Sequence, residues 1–378
     1  MAVLTEEQSI LRDQARAWCQ ARAPVSAYRK TRNSADPLGF DRAVYADMAE
    51  MGWTGVIAPE ACGGSEFGYL SLGFILEETG RTLVASPLIP SALGTGTALV
   101  LGGNADQQQR YLAPIVAGDL IGALAIDEGP RHAPERVELR AERDGAGYRL
   151  NGTKCFVLAG MAAGLLVVSA RTSGAADDEE GVTLFLVPTD SPGVKRSALH
   201  TIDGHGAANI TLRDVKVDAG QVLGEVGRGG PLLARVLDCV RAGVAAEMLG
   251  SALAAFELTV AYLKTRTQFG QLIGAFQALQ HRAARMFGEL ELARSCVEAA
   301  LQAIDAGSSE VPQLVALAKA FVGETLFLVS NELLQMHGGI GMTDEHDAGL
   351  FFKRARVAEA AFGNRAYHRE RYARLSGI

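Results

Sequence analysis

The spacing of apolar residues changes twice along this 378-residue chain, and no other sequence feature constrains the fold as strongly. Over residues 1–118 apolar residues recur every three or four positions, as in helices, and the capping-box pair Thr5 and Gln8 begins the first helix. Over residues 119–225 short β-rich or alternating runs are bounded by turn residues, which is typical of strands. Helical spacing returns over residues 226–378. The sequence therefore predicts an α+β protein of three domains: helical, a small β barrel or sandwich, and helical again.

Composition and cysteine usage argue against several classes of function. Acidic residues number 43 and basic residues 36, and a net charge of −7 argues against a nucleic-acid-binding protein. Five cysteines without a C-x-x-C pair, and seven histidines without an H-x-x-x-H pattern, argue against a disulfide framework and a metal site. Neither a signal peptide nor an apolar run long enough to span a bilayer is visible. We therefore expect a soluble, cytoplasmic protein without a membrane partner.

A first cluster of special residues lies at positions 335–343, directly after a long predicted helix. It contains Gln335 and the glycine pair Gly338 and Gly339. The glycines would either simply end the helix or allow backbone N–H groups to form a concave nest for a phosphate. Alone, this cluster is a weak indication of a ligand.

A second cluster lies between two long predicted helices and includes Arg266, Phe269 and Gln277. An arginine can bind a diphosphate through two hydrogen bonds, and an aromatic ring or an amide can cover or hydrogen-bond a nucleotide base. An ordinary helix–helix corner with an exposed arginine is the alternative. Together, the two clusters indicate a nucleotide-bearing ligand more strongly than either does alone.

One carboxylate, that of Glu247, falls on an otherwise largely apolar helical stripe that includes Val236, Val240 and Val244. A carboxylate that is buried has a raised pKa, which suits a base working near neutral pH. The alternative is a structural position, either at the edge of the stripe or paired with a neighbouring helix. The sequence leaves both interpretations open.

Taken in order, these motifs resemble those of the acyl-CoA dehydrogenase family, and the resemblance covers nearly the whole chain. Residues 59–64 resemble its N-terminal pattern, residues 151–154 its N-G-x-K motif, and residues 262–277 are the most specific match. The resemblance implies an N-terminal helical domain, a middle β domain and a C-terminal four-helix bundle. It also implies FAD as cofactor and an acyl-CoA thioester as substrate, dehydrogenated between its α and β carbons with hydride transfer to flavin N5.

The resemblance also implies which residues bind the cofactor and what the protein assembles with. In the family, the ADP half of FAD is held by positions that reach the flavin of a neighbouring subunit. An oligomer, arranged as a dimer of dimers, and an electron-transferring flavoprotein as electron acceptor are therefore implied. The matching positions of this chain are Arg266, Phe269, Gln277, Gln335, Gly338 and Gly339.

Three positions depart from the family pattern. Phe362 stands where common members carry the catalytic glutamate, and a phenylalanine cannot accept a proton. The alternative base position falls on Val240, and Glu247 lies about 10 Å further along the helix, so it is only a tentative base. Phe156 replaces the tryptophan that packs beside the flavin. The ADP side of the cofactor site is therefore retained, whereas the flavin-ring and acyl-CoA side differs.

The finer pattern of residues 245–250 and 276–282 resembles one branch of the family. That branch contains the small subunit of pimeloyl-CoA dehydrogenase and subunits of heteromeric dehydrogenases that act on steroid side chains. We therefore expect a subunit for fatty-acid or steroid side-chain β-oxidation whose homologous partner supplies the glutamate. Two alternatives are a non-catalytic subunit that lends its ADP-binding corner to the partner, and a flavin-dependent oxidase or hydroxylase on the same fold.

Overall fold

The computed structural model describes residues 4–378, and it confirms an α+β protein with helices at both ends and a sheet in the middle. The helices are α1 (Glu6–Arg22), α2 (Val25–Ser34), α3 (Arg42–Glu50), α4 (Gly68–Arg81), α5 (Gly96–Gly102), α6 (Ala105–Gln107), α7 (Ala113–Ala117), α8 (Gly229–Thr265), α9 (Gln277–Asp305), α10 (Val311–His337), α11 (Ala348–Ala360) and α12 (Arg365–Leu375). The strands are β1 (Gly122–Ala125), β2 (Arg140–Asp144), β3 (Gly147–Leu158), β4 (Leu165–Arg171), β5 (Val182–Pro188), β6 (Val194–Leu199), β7 (Ala207–Val217), β8 (Val222–Leu223), β9 (Thr267–Gln268) and β10 (Gln271–Leu272).

The described chain divides into two compact units that do not follow the order of the sequence. The helical unit contains residues 4–30, 69–84 and 241–378, and the sheet unit contains residues 31–68 and 85–240. Each unit therefore combines pieces of the N-terminal helical region with a later part of the chain. The predicted domain boundaries after residues 118 and 225 stay predictions.

The sheet unit is built on one eight-stranded sheet with the order β6-β7-β3-β2-β4-β5-β8, in which β1 pairs with β4. The β1–β4 and β2–β4 pairings are parallel and the others are antiparallel. β4 is buried along its whole length, and it begins with a run of four apolar residues, Leu165 to Val168, as is typical of a strand covered on both faces. The sequence Asp144-Gly145-Ala146-Gly147 between two β-rich runs predicts a hairpin turn, and the structure confirms it, because Asp144 pairs with Gly147 and Gly145 has a φ of 62°.

The last residue of β4, Arg171, is 1% exposed and organises the loop that follows it. Its guanidinium donates to the carbonyl oxygens of Val137 at 3.0 Å, Ala176 at 2.9 Å, Asp178 at 3.0 Å and Glu180 at 2.8 Å. The sequence predicts only an exposed loop at residues 173–181. The structure shows that a buried cation fixes the backbone of that loop.

We expect Arg171→Ala to lower the free energy of unfolding by about 2–3 kcal/mol, because four backbone carbonyls lose a charged, buried donor together. Arg140→Ala is the matched control, since Arg140 is an exposed arginine that donates to the same loop at Gly174 over 2.9 Å. The control should cost about 0.5 kcal/mol or less. Urea denaturation measures both, and equal losses would contradict the role given to Arg171.

In the helical unit, α4 and α8 cross at two glycines, one on each helix. A Cβ atom on Gly80 would lie 2.0 Å from the carbonyl oxygen of Glu247, and one on Gly250 would lie 1.8 Å from the carbonyl oxygen of Glu77. Both obstacles are backbone atoms, which cannot rotate away as a side chain can. The two helices therefore pack backbone against backbone at this crossing.

No apolar run long enough to span a bilayer is visible in the sequence, whereas two helical segments of the structure, Gly229–Thr265 and Val311–Met342, do have the length and composition of membrane spans. Of their most apolar windows, 67% and 61% are buried inside the protein. Burial of this kind is typical of the long core helices of a helical bundle. Their hydrophobicity is therefore explained by packing within the protein.

Candidate cofactor site

The Arg266 cluster forms a tight hairpin directly after α8. The Arg266 N–H donates to the Tyr262 carbonyl at 2.9 Å, and β9 and β10 are then joined by Phe269 and Gly270. Both turn residues have left-handed φ values, 54° and 80°, as the right-handed twist of a two-residue hairpin requires. For Phe269 that conformation costs about 1–2 kcal/mol. The turn nevertheless holds this ring 91% exposed, in a position to cover a ligand.

The Gly338 cluster forms the end of α10. Gly338 has a φ of 62°, so it ends the helix, and an added Cβ atom would meet no other heavy atom within 4 Å at either Gly338 or Gly339. Gln335, on the last helical turn, is exposed. The glycines therefore end the helix, which is one of the two roles considered from the sequence, and they leave backbone that no neighbouring atom covers. Their role in holding a phosphate stays a prediction.

The structure brings these two clusters together within the helical unit. The ring of Tyr262, one turn before Arg266, stacks on that of His337, the residue before Gly338, at 4.3 Å and 25°. Gln277, the first residue of α9, is exposed, as is the Arg266 side chain. The two clusters together present a guanidinium, two amides, an exposed aromatic ring and uncovered backbone. This set of groups fits the diphosphate and base of an ADP moiety.

Phe156 lies in the sheet unit, on β3. Its φ is 52°, it sits at an irregularity in the β3–β7 register between Lys154 and Val157, and its ring is 57% exposed. Its N–H donates to the Asn209 side chain at 3.3 Å. A bulge therefore turns this ring outward, as bulges do beside many binding sites.

A buried ion pair that sequence reasoning missed supports the strand beside Phe156. The Lys154 ammonium donates to Glu128 Oε1 at 2.6 Å, to Ser169 Oγ at 2.9 Å and to the Ile126 carbonyl at 3.2 Å. Burial lowers the pKa of Lys154, and the Glu128 carboxylate opposes that effect. Lys154 belongs to the N-G-x-K motif, but nothing in the sequence indicates that Glu128 contacts it.

Glu247 is paired with an arginine from another helix. Arg354 Nη2 donates to both carboxylate oxygens, at 2.6 and 2.9 Å, and the two side chains are 8% and 12% exposed. Both carboxylate oxygens therefore already accept hydrogen bonds from a guanidinium, and the side chain is almost wholly buried. The structure thus favours the structural interpretation of Glu247 over its tentative role as the base. Arg354 lies 107 residues later, so the sequence could not identify the pair.

The backbone at Phe362, the position of the family glutamate, is held by two side chains. Phe362 has a left-handed φ of 55°, and its carbonyl accepts from Arg241 Nε and His368 Nε2, both at 3.1 Å. Burial, with Lys319 and Arg241 nearby, lowers the pKa of His368 to about 2. These hydrogen bonds therefore hold the backbone at position 362 in place, although the side chain at that position is a phenylalanine. Val240, at the alternative base position, is fully buried.

Lys319 fixes the same loop from α10. Its ammonium donates to the carbonyls of Ala358 at 3.3 Å, Glu359 at 3.0 Å and Gly363 at 3.2 Å, and burial lowers its pKa to about 7. Sequence reasoning missed this residue. The sequence signal that could have identified Lys319 is its place as a single lysine within the apolar stretch that begins at Val311.

Among residues 4–378, no group of three or more histidine, cysteine or acidic side chains is placed to hold a metal ion. The α+β fold and the exposed polar groups of the helical unit fit one class of protein, the enzymes that use a nucleotide cofactor. Models of known protein families identify the family within that class. Acyl-CoA dehydrogenase domain models match residues 5–119 (N-terminal domain), 132–215 (middle domain) and 227–376 (C-terminal domain).

The chain therefore belongs to the acyl-CoA dehydrogenase family, whose members are FAD-dependent oxidoreductases acting on acyl-CoA. It is 30% identical to the probable acyl-CoA dehydrogenase YngJ of Bacillus subtilis, over 95% of each chain. Butyryl-CoA dehydrogenase from Megasphaera elsdenii is 26% identical, with a TM-score of 0.92 over 100% of both chains. A chain of the ChsE4-ChsE5 complex from Mycobacterium tuberculosis is 27% identical, with a TM-score of 0.88 over 100% of this chain and 99% of that one.

Proposed function

We propose that this chain is one subunit of a heteromeric acyl-CoA dehydrogenase and that a homologous partner subunit supplies the catalytic glutamate. The observation that carries the proposal is Phe362, a side chain that cannot accept a proton at the usual base position. Val240 is equally inert, and the Glu247 carboxylate is held by Arg354. Structural likeness to a chain of a two-component complex supports a heteromer.

In this proposal, the chain contributes the ADP-binding corner of the FAD site. Arg266 binds the diphosphate, the open backbone at Gly338 and Gly339 allows its close approach, Phe269 covers the nucleotide, and Gln277 and Gln335 supply amide hydrogen bonds. Phe156 lines the flavin-ring side. Bound FAD supplies the acceptor for the hydride that leaves the acyl β-carbon.

The proposed assembly is a dimer of dimers in the cytoplasm that passes electrons to an electron-transferring flavoprotein. Its proposed role is fatty-acid or steroid side-chain β-oxidation. Flavin stoichiometry tests the arrangement: the chain is purified alone and with the product of an adjacent homologous gene, and FAD is counted per chain. We expect acyl-CoA oxidation only in the complex. A chain that, by itself, binds one FAD per subunit and oxidises acyl-CoA would rule out the partner's role.

We expect Arg266→Ala to weaken FAD binding by about 10- to 100-fold, because hydrogen bonds to a charged group contribute about 1.5–3 kcal/mol each. Arg266→Lys keeps the charge but loses the two-point geometry, so its affinity should be intermediate. Flavin fluorescence on dilution measures both variants. FAD affinity that is unchanged in Arg266→Ala would exclude this corner as the ADP site.

A further inference from the structure

The imidazole of His337 is enclosed by rings from two other segments. It stacks on Tyr262 of α8 at 4.3 Å and lies 4.5 Å from the ring of His346, which follows α10. His337 is 3% exposed. The sequence predicts only a cap-region residue at this position, so the aromatic stack is a finding of the structure.

The hydrogen bonds of His337 fix its tautomer. Nδ1 lies 2.7 Å from the Leu333 carbonyl, which can only accept, so Nδ1 carries the proton. Nε2 is buried without a hydrogen-bond partner in the described part of the chain. In the neutral ring, Nε2 is an acceptor that lacks a donor. In the protonated ring, Nε2 would be a buried, charged N–H that lacks an acceptor, which costs more free energy.

The stack joins the two segments of the proposed ADP-binding corner. Tyr262 accepts the Arg266 N–H at 2.9 Å through its carbonyl, so its ring and the start of the hairpin belong to one turn of backbone. His337 directly precedes Gly338. The position of the Gly338–Gly339 backbone relative to Arg266 therefore depends on how these two rings pack.

We propose that His337 is a positioning residue for the ADP half of FAD, and that its neutral, stacked imidazole holds the two segments of the corner at the spacing which the diphosphate requires. The inference rests on the proposed function, since it assumes that this corner binds FAD. It predicts that FAD affinity falls when His337 becomes protonated.

The direction of the pH dependence follows from the surroundings of the ring. Burial lowers the pKa of His337 and the positive charge available to His346 lowers it further, while the hydrogen bond to Leu333 opposes both. The neutral state is thus fully present above the ordinary histidine pKa of about 6.5 and is lost as the pH falls through the lowered value.

Titratable side chains face His337 from two elements. Tyr262 faces it from α8, and His346 faces it from the segment that follows α10. The segment that carries His346 also carries Asp344 and Asp347, and both carboxylates are near Arg29, at 3.6 and 2.7 Å. These carboxylates are therefore engaged by a guanidinium from α2.

The test measures the FAD dissociation constant of the flavin-loaded protein, alone or with its partner, from pH 8 down to the lowest pH at which the protein stays folded. We expect wild-type affinity to fall several-fold at a pH below the ordinary histidine pKa, because the pKa of His337 is lowered. His337→Phe keeps a stacking ring but cannot titrate, so it should bind nearly as wild type at pH 8 and lose the pH dependence. His337→Ala loses the stack and should bind about 2- to 10-fold more weakly even at pH 8. The control His281→Asn, at an exposed histidine, should follow wild type.

Two results would overturn the inference: the same pH profile in wild type and His337→Phe, or wild-type affinity in His337→Ala at pH 8. Arg266→Ala, measured in parallel, separates the inference from the proposed function. If Arg266→Ala weakens FAD binding and the His337 variants do not, only the role of His337 fails. If Arg266→Ala has no effect, the corner does not bind FAD and the proposed function fails with it.

Discussion

Replacing Glu247 by alanine should lower the free energy of unfolding by about 3–5 kcal/mol, because it leaves the buried Arg354 guanidinium without its carboxylate. Arg354 donates to both carboxylate oxygens, at 2.6 and 2.9 Å, and both side chains are almost wholly buried. The pair connects α8 to α11 in the helical unit, so its loss weakens the contact between these two helices. Guanidinium denaturation of the flavin-loaded protein measures the change.

The double variant Glu247→Leu with Arg354→Met is the control for this loss. Removing both charges together should restore most of the stability, since an apolar pair of similar volume replaces a desolvated ion pair at little net cost. Glu247→Gln then tests catalysis: we expect the assembled enzyme to keep its turnover. Loss of turnover in a Glu247→Gln enzyme that is still folded and still holds its FAD would show that Glu247 is the base.

Gly250→Ala should destabilise the protein by about 3 kcal/mol or more, because the added methyl group meets backbone that cannot move aside. The new carbon would lie 1.8 Å from the Glu77 carbonyl oxygen, so α4 and α8 would have to separate. We expect a thermal midpoint lower by several degrees, or failure to accumulate as folded protein. Differential scanning calorimetry measures the midpoint.

Gly288→Ala provides the matched control on α9. Gly288 is also helical, but a Cβ atom there meets no heavy atom within 4 Å. Alanine should therefore stabilise the protein by about 0.5–1 kcal/mol through its helix propensity. Opposite signs at the two glycines are the expected result. A stabilising Gly250→Ala would show that the helices do not cross as closely as the structure places them.

Much of the fold was accessible from local sequence patterns. The change of apolar spacing near residues 119 and 226 predicted the order of helices, sheet and helices, because each backbone type repeats over only a few residues. The turn at residues 144–147 was predicted for the same reason. The exposed Arg266 and Gly338 clusters were also identified, since glycines and unpaired polar groups beside helix ends are visible locally.

The sequence by itself therefore determined the class of fold, the turns, and the absence of an acid at Phe362. Only the tertiary structure decided that Glu247 is paired with Arg354, that Lys154 is paired with Glu128, and that Tyr262 stacks on His337. The physical reason is distance along the chain. Secondary structure follows from short-range backbone geometry, whereas the partner of a buried charge or ring depends on which distant elements pack against it.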